Sequence, residues 1–266
     1  MQMSLFDSIR EIVKYRQLLY MIAWRDIRIK YKQSVMGFMW AIFMPMIIIS
    51  AGILVKYAFS VISGNEMTGK HIASVTVKAL PWSFFVASIR FTTSSLVANV
   101  NLVTKIYFPR AICPISSICS QLFDFVIAST VLTIFLALLR VGISIQLLWV
   151  PVLLLLLIAL VIGLGLVLAT ANLFFRDVKY LVEVILTFGI FFTPVFYEIS
   201  MFNTPWIKVL LLNPVAPILE ALNASVVLHQ MPNLGWLLYS AGFAIVGLFA
   251  AFAFFRKMEP IFAESI

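Results

Sequence analysis

The chain has 266 residues, 63% of them hydrophobic and only 11% charged, with a mean hydropathy of +1.07. Soluble domains carry about a quarter charged residues, so these few charges fall short of a water-facing surface, and disorder, which needs low hydrophobicity and high charge, is excluded. The net charge of +8 argues less for a soluble nucleic-acid binder than for an integral membrane protein whose basic residues are read by position.

Residues 1–34 hold seven Lys/Arg and no long apolar core, so no secretory leader is expected. Within them, about 8–34 reads as an amphipathic helix. Tyr20, Trp24, Ile27 and Tyr31 recur on one face of a 3.6-residue period. Arg25, Arg28 and Lys32 form a cationic stripe beside that face. An aromatic edge flanked by cations suits a helix lying in the inner-leaflet interface. The same segment also fits a docking surface for a cytoplasmic partner, or a plain basic stretch that sets topology.

Charge-poor runs follow at 35–55, 79–103, 111–139, 141–175, 180–197 and 234–255. A crossing needs about 20 apolar residues. The second run is interrupted by Arg90, the third by Asp124, and the fifth carries Glu183 near its start. In the fourth, 141–151 reads as a turn and helix entry. Unbroken apolar runs exclude a β-barrel, whose strands alternate. The expected fold is therefore an all-α integral membrane protein with six transmembrane helices. An interface segment (1–34) precedes one transmembrane domain (35–258) and a cytoplasmic tail (259–266). Thirteen Lys/Arg fall on the side of the termini and five on the other, which places both termini in the cytoplasm.

The stretch 199–232 lies outside yet is largely apolar, punctuated by Pro205, Pro214 and Pro217. Prolines end or begin helices. Two short helices split at Asn213-Pro214, dipping into the outer leaflet or packing on the bundle, fit this pattern, as does a loop on the membrane surface.

Charges inside spans are costly and face the bundle interior or a pathway. Arg90 and Asp124, at similar depth on neighbouring spans, are expected to form a structural ion pair, with contact to an anionic substrate as the alternative for Arg90. The stretch 99–110, closed by Pro109, reads as a short helix between two spans, either a lever or a connector. Aromatics gather near the outer helix ends, among them Tyr57, Phe59, Trp82, Phe196 and Tyr197. They form an interface belt or a ring of aromatic faces lining a sugar pathway. Two cysteines and two histidines give no metal set. No phosphate-binding Gly-rich loop is present, and no nucleophile–base set stands out. Energy for any transport must come from a partner or an ion gradient.

Four strings carry a family resemblance. They are Arg25-Asp26-Ile27-Arg28-Ile29-Lys30-Tyr31-Lys32-Gln33 with Gly37, Trp40, Ala41 and Pro45 following; Asn101 to Lys105-Ile106-Tyr107-Phe108-Pro109-Arg110; Asn172 with Arg176-Asp177-Val178; and Thr193-Pro194-Val195-Phe196-Tyr197 with Leu212-Asn213-Pro214. In this order, on this frame, the chain resembles the membrane subunit of type-2 ABC exporters for cell-envelope polysaccharides. These are the Wzm-like O-antigen permeases, related to capsule and teichoic-acid permeases. The resemblance implies a homodimer with a channel on its axis in the bacterial inner membrane and two cytoplasmic ATPase subunits. ATP and Mg are bound on those subunits, and this chain is a non-enzymatic transport subunit without a cofactor of its own. The cargo implied is a polyprenyl-pyrophosphate-linked polysaccharide, most closely O-antigen.

The resemblance also implies ATPase coupling through residues 24–33 and 101–110, hence Trp24, Arg25, Arg28, Tyr31, Lys32, Asn101, Lys105, Phe108 and Arg110. Lys105 and Arg110 would meet the lipid pyrophosphate at the entrance. The pathway would involve Arg90, Tyr57, Phe59, Phe196 and Tyr197, lined by the first and fifth spans and closed outside by about 204–225. Glu198 departs from the proline many relatives carry there. An ion-coupled secondary transporter would show inverted repeats. A membrane transferase would show clustered acids or metal ligands. Neither pattern is visible.

Overall fold

The computed structural model describes residues 5–32, 36–63, 69–197, 199 and 205–263. Glu198, Gln33 and residues 200–204 lie outside the described residues. Among these residues ten α-helices run α1 (Leu5–Lys14), α2 (Arg16–Lys32), α3 (Trp40–Ser63), α4 (Gly69–Ala98), α5 (Val100–Lys105), α6 (Ile112–Leu138), α7 (Trp149–Phe174), α8 (Val178–Gly189), α9 (Val215–Val226) and α10 (Leu234–Met258). Short 3-10 turns at Gly37–Met39, Ile145–Leu148, Pro205–Leu212 and Glu259–Ala263 join or extend them. Among the described residues there is no strand, so the all-α expectation holds.

Local chemistry sets many helix ends. Pro114, Pro151 and Pro217 sit in the first turns of α6, α7 and α9, where a missing N–H costs nothing. The Asn233 carboxamide oxygen accepts the Gly235 and Trp236 N–H groups and so caps α10. At the other end of α6, Arg140 turns left-handed (φ 54°), and the Val141 N–H reaches back to the Leu136 carbonyl at 3.1 Å.

Among the described residues, four segments are long and apolar enough to cross a membrane: Gly69–Ala98, Ile112–Leu138, Ile145–Phe174 and Leu234–Phe262. α3 runs 24 residues and is likewise apolar. Two boundaries differ from the sequence reading. α4 begins ten residues before the expected start at 79, continuing through Lys78. That ammonium is buried and paired, so it does not mark a water boundary. The fifth run is helical only to Gly189, a helix of 12 residues and about 18 Å. Beyond it, Pro194 offers no N–H and restricts Thr193, and the chain folds into turns through 197.

α4 and α7 lie side by side at the centre. α3 and α6 pack on α4, α10 packs on α7, and α8 touches both. Gly163 lets α7 approach the α10 backbone: a Cβ there would stand 3.2 Å from the Leu248 Cα. α9 seats between α4, α7 and α10, with Ile218, Leu219 and Ala221 buried, so this segment packs against the bundle. One apolar core joins α9 to the central pair. A second core at the opposite end gathers Ile22 of α2, Phe108, Leu173, Phe255 and Phe262.

Candidate functional site

Two features stand out, a groove along the bundle and a set of contacts at its base, where α2, α5 and the ends of α7 and α10 meet. The groove has a volume of about 580 Å³. Trp40 and Met44 of α3, Trp82 to Phe91 of α4, Gln121 to Ala128 of α6 and Thr187 of α8 line it. Lys30, near the end of α2, also reaches it.

Two ion pairs belong to this groove. Arg90 meets Glu183 through Nη2 at 2.5 Å and through Nε at 2.8 Å, a two-point clamp between α4 and α8. Their side chains are 48% and 49% exposed, although Arg90 lies eight residues, about 12 Å, inside the end of α4 at Ala98. Lys30 pairs with Asp124, and the Tyr31 hydroxyl donates to the same carboxylate at 2.5 Å. Burial, reinforced by Asp124, pushes the Tyr31 phenol above its ordinary value. The Lys30 ammonium also lies 5.6 Å over the Phe91 ring.

The expected Arg90–Asp124 ion pair is therefore corrected. Both residues line one groove, but each holds a different partner. Depth along two spans was the only coordinate available from the sequence. It left out α8, which brings Glu183 to Arg90, and α2, which delivers Lys30 to Asp124. Glu183 was visible as the lone carboxylate in its run.

The pathway aromatics also resolve individually. Tyr57 on α3 is exposed, and the Phe59 side chain lies outside the described residues. Phe196 packs its ring over Gly52 of α3, where a Cβ would stand 2.7 Å from it. The Tyr197 hydroxyl donates to the Phe191 carbonyl at 3.0 Å, and its own carbonyl accepts from Lys78. Phe196 and Tyr197 hold the turn after α8, and neither lines the groove. In that turn the Asn213 amide donates to Thr193 Oγ1 at 2.9 Å while its oxygen accepts the Val215 N–H at 3.1 Å. Two strings far apart in sequence are thus one joint.

At the base, Arg25 Nη2 donates to Asn99 Oδ1 at 2.7 Å and to Asp26 at 2.7 Å. This ties α2 to the α4–α5 corner. Ile22 and Ala23 face inward. Tyr20 and Trp24 stack at 6.2 Å on the exposed side, with Arg28 5.5 Å over the Trp24 ring. Lys32, Asn101 and Lys105 are exposed, Tyr107 is 94% exposed, and Phe108 is buried. Arg110, expected at an entrance, bonds Glu259. Its N–H donates to Glu259 Oε1 at 2.8 Å, and its guanidinium donates to the Glu259 carbonyl. Nothing in the spacing points to this contact, because Glu259 lies 149 residues further along the chain.

Residues 17–227 match the model of the ABC-2 type transporter family. The chain belongs to that family. It is 27% identical over 260 residues to the O-antigen export system permease protein RfbA of Myxococcus xanthus, covering 97% of this chain and 98% of that protein. It is 26% identical over 254 residues to the protein of that name in Klebsiella pneumoniae, covering 93% and 94%. In this ABC-2 chain the matched region takes in the groove and the 106–111 turn. It stops before α10.

Proposed function

We propose that this ABC-2 chain is the membrane-spanning permease subunit of an ATP-driven exporter of lipid-linked polysaccharide, with O-antigen as the polymer. The observation that carries this is similarity along nearly the whole chain to permeases named for O-antigen export. The groove supports it physically. An ion pair half exposed at this depth is costly against lipid. It is stable where a second copy closes the groove into a water-filled path, so two copies face each other across α3 and α8. Six crossings follow when α3, and α8 with the turns after it, are added to the four long segments, which puts both termini on the cytoplasmic side of the inner membrane.

Two ATPase subunits sit at the base and supply ATP and Mg chemistry; this chain binds neither. The exposed α2 face and residues 101–107 receive them. The exposed Lys105 stands by the entrance for the lipid pyrophosphate, while Arg110 acts from inside the base. α9 and Pro205–Leu212 close the far end. The test is removal of this chain from its host, followed by return with the neighbouring ATPase. Surface O-antigen should vanish and reappear, and should stay absent when the ATPase cannot hydrolyse ATP. Loss of capsule or teichoic acid in place of O-antigen would reassign the polymer. Export without the ATPase would remove the reading.

A further inference from the structure

The chain after α10 does not leave the bundle. The 3-10 turn Glu259–Ala263 continues α10 at the base. Phe262 is fully buried. Its ring meets Phe255 at 5.2 Å and Phe174 at 6.0 Å, both edge-on, with the Arg110 guanidinium 5.8 Å over it.

Glu259 holds the residue just before the N-cap of α6, whose own first N–H groups bond the Pro109 and Arg110 carbonyls. Helix starts leave N–H groups without intrahelical partners. α6 begins after Pro109-Arg110-Ala111, and its N-cap Ala111 offers no side-chain acceptor. The Glu259 carboxylate accepts the Arg110 N–H at 2.8 Å, placing a negative charge at the α6 N-terminus, where the helix dipole favours it. The contact joins residues 149 positions apart in the chain.

Immediately before this contact lies the most exposed large side chain of the base. Tyr107 is 94% and Ile106 56% exposed, while Phe108 is 5%. The exposed tip is therefore anchored on one side by buried Phe108 and on the other by Arg110 clamped to Glu259. Arg256, at the end of α10, meets Glu11 of α1 at 3.7 Å.

We propose that Glu259 and Phe262 are positioning residues: the 259–263 segment is a brace that fixes the 106–111 tip and transmits force on it to α10 and α6. This rests on the reading that the 101–107 surface receives the ATPase. Without the brace the tip would still bind but would swing about α6, and ATP-driven movement at the partner would be lost in it.

The experiment uses the complex with its ATPase, measuring co-purification, ATP hydrolysis and polymer exported. In Glu259→Ala and Phe262→Ala, association and hydrolysis should stay within about threefold of wild type. Polymer exported per ATP should fall fivefold or more. Glu259→Gln, whose amide oxygen still accepts the Arg110 N–H, should recover at least half. Wild-type export per ATP in both alanine variants overturns the brace. Should these not accumulate in the membrane, Phe262→Leu keeps apolar bulk but removes the ring beneath Arg110, and normal coupling there overturns it equally. Tyr107→Ala separates the two ideas. Lost association there, with unaltered coupling in the Glu259 and Phe262 variants, removes the brace alone. Undiminished association and export remove the docking surface and the brace together.

Discussion

Lys78 shows what a single residue does in this fold. It is 1% exposed, and its ammonium donates to the Tyr197 carbonyl at 2.7 Å and to Glu220 at 3.2 Å. One cation thus ties α4 to the turn after α8 and to α9. Breaking a buried pair from one side costs about 3–5 kcal/mol when the remaining charge stays buried. Glu220 is 25% exposed and reaches water, whereas Lys78 does not. Glu220→Leu is therefore expected to lower stability by about 3 kcal/mol and Lys78→Met by less, read from thermal unfolding of the detergent-solubilised protein. A reversed order would show that the Tyr197 carbonyl matters more than the charge. At the groove, Arg90→Glu or Glu183→Arg alone should cut export, and the double reversal should restore part of it. Combining Arg90→Asp with Asp124→Arg should rescue nothing, because those side chains hold other partners. Rescue in that second pair would refute the assignment.

Among the elements, the α7–α10 contact depends on a missing side chain. A Cβ at Gly163 would already press on the Leu248 backbone at 3.2 Å, and backbone cannot rotate away. Overpacking of this kind costs about 1–3 kcal/mol. Gly163→Val should therefore lower the melting temperature, while Gly242→Ala on α10, where a Cβ meets nothing within 4 Å, should not. The joint at Asn213 is lighter. Asn213→Ala removes one bond to Thr193 and one to the Val215 N–H, a loss of about 1–2 kcal/mol. Asn213→Asp keeps the acceptor for Val215 and should recover part of the loss in the same melt.

For the whole molecule, the expected property is a water-filled groove in an otherwise lipid-facing bundle. Ser83 and Thr187 line that groove, whereas Leu155 of α7 and Val246 of α10 are exposed on outer faces. Single cysteines at these positions, with Cys113 and Cys119 replaced, should separate cleanly. A membrane-impermeant maleimide should label the Ser83→Cys and Thr187→Cys proteins in the assembled exporter and leave Leu155→Cys and Val246→Cys untouched. Equal protection of all four would mean the groove is filled by protein or lipid.

Local sequence was enough for the helical class, the order of the long apolar helices and the family, because each rests on local information. Long charge-free runs admit few structures in a bilayer, prolines and capping residues act within a turn, and the strings of the resemblance are contiguous. The Arg176-Asp177 corner between α7 and α8 and the short helix before Pro109 were legible for that reason. Tertiary structure alone decided the partners. Lys78 read as a boundary and is a buried tie. Arg90 read as the partner of Asp124 and is clamped by Glu183. Arg110 read as an entrance contact for the lipid pyrophosphate, and its bonds to Glu259 were out of view. A charge in an apolar medium takes the nearest opposite charge in three dimensions, and helix packing, which sets that distance, is not written in the spacing along any one chain segment.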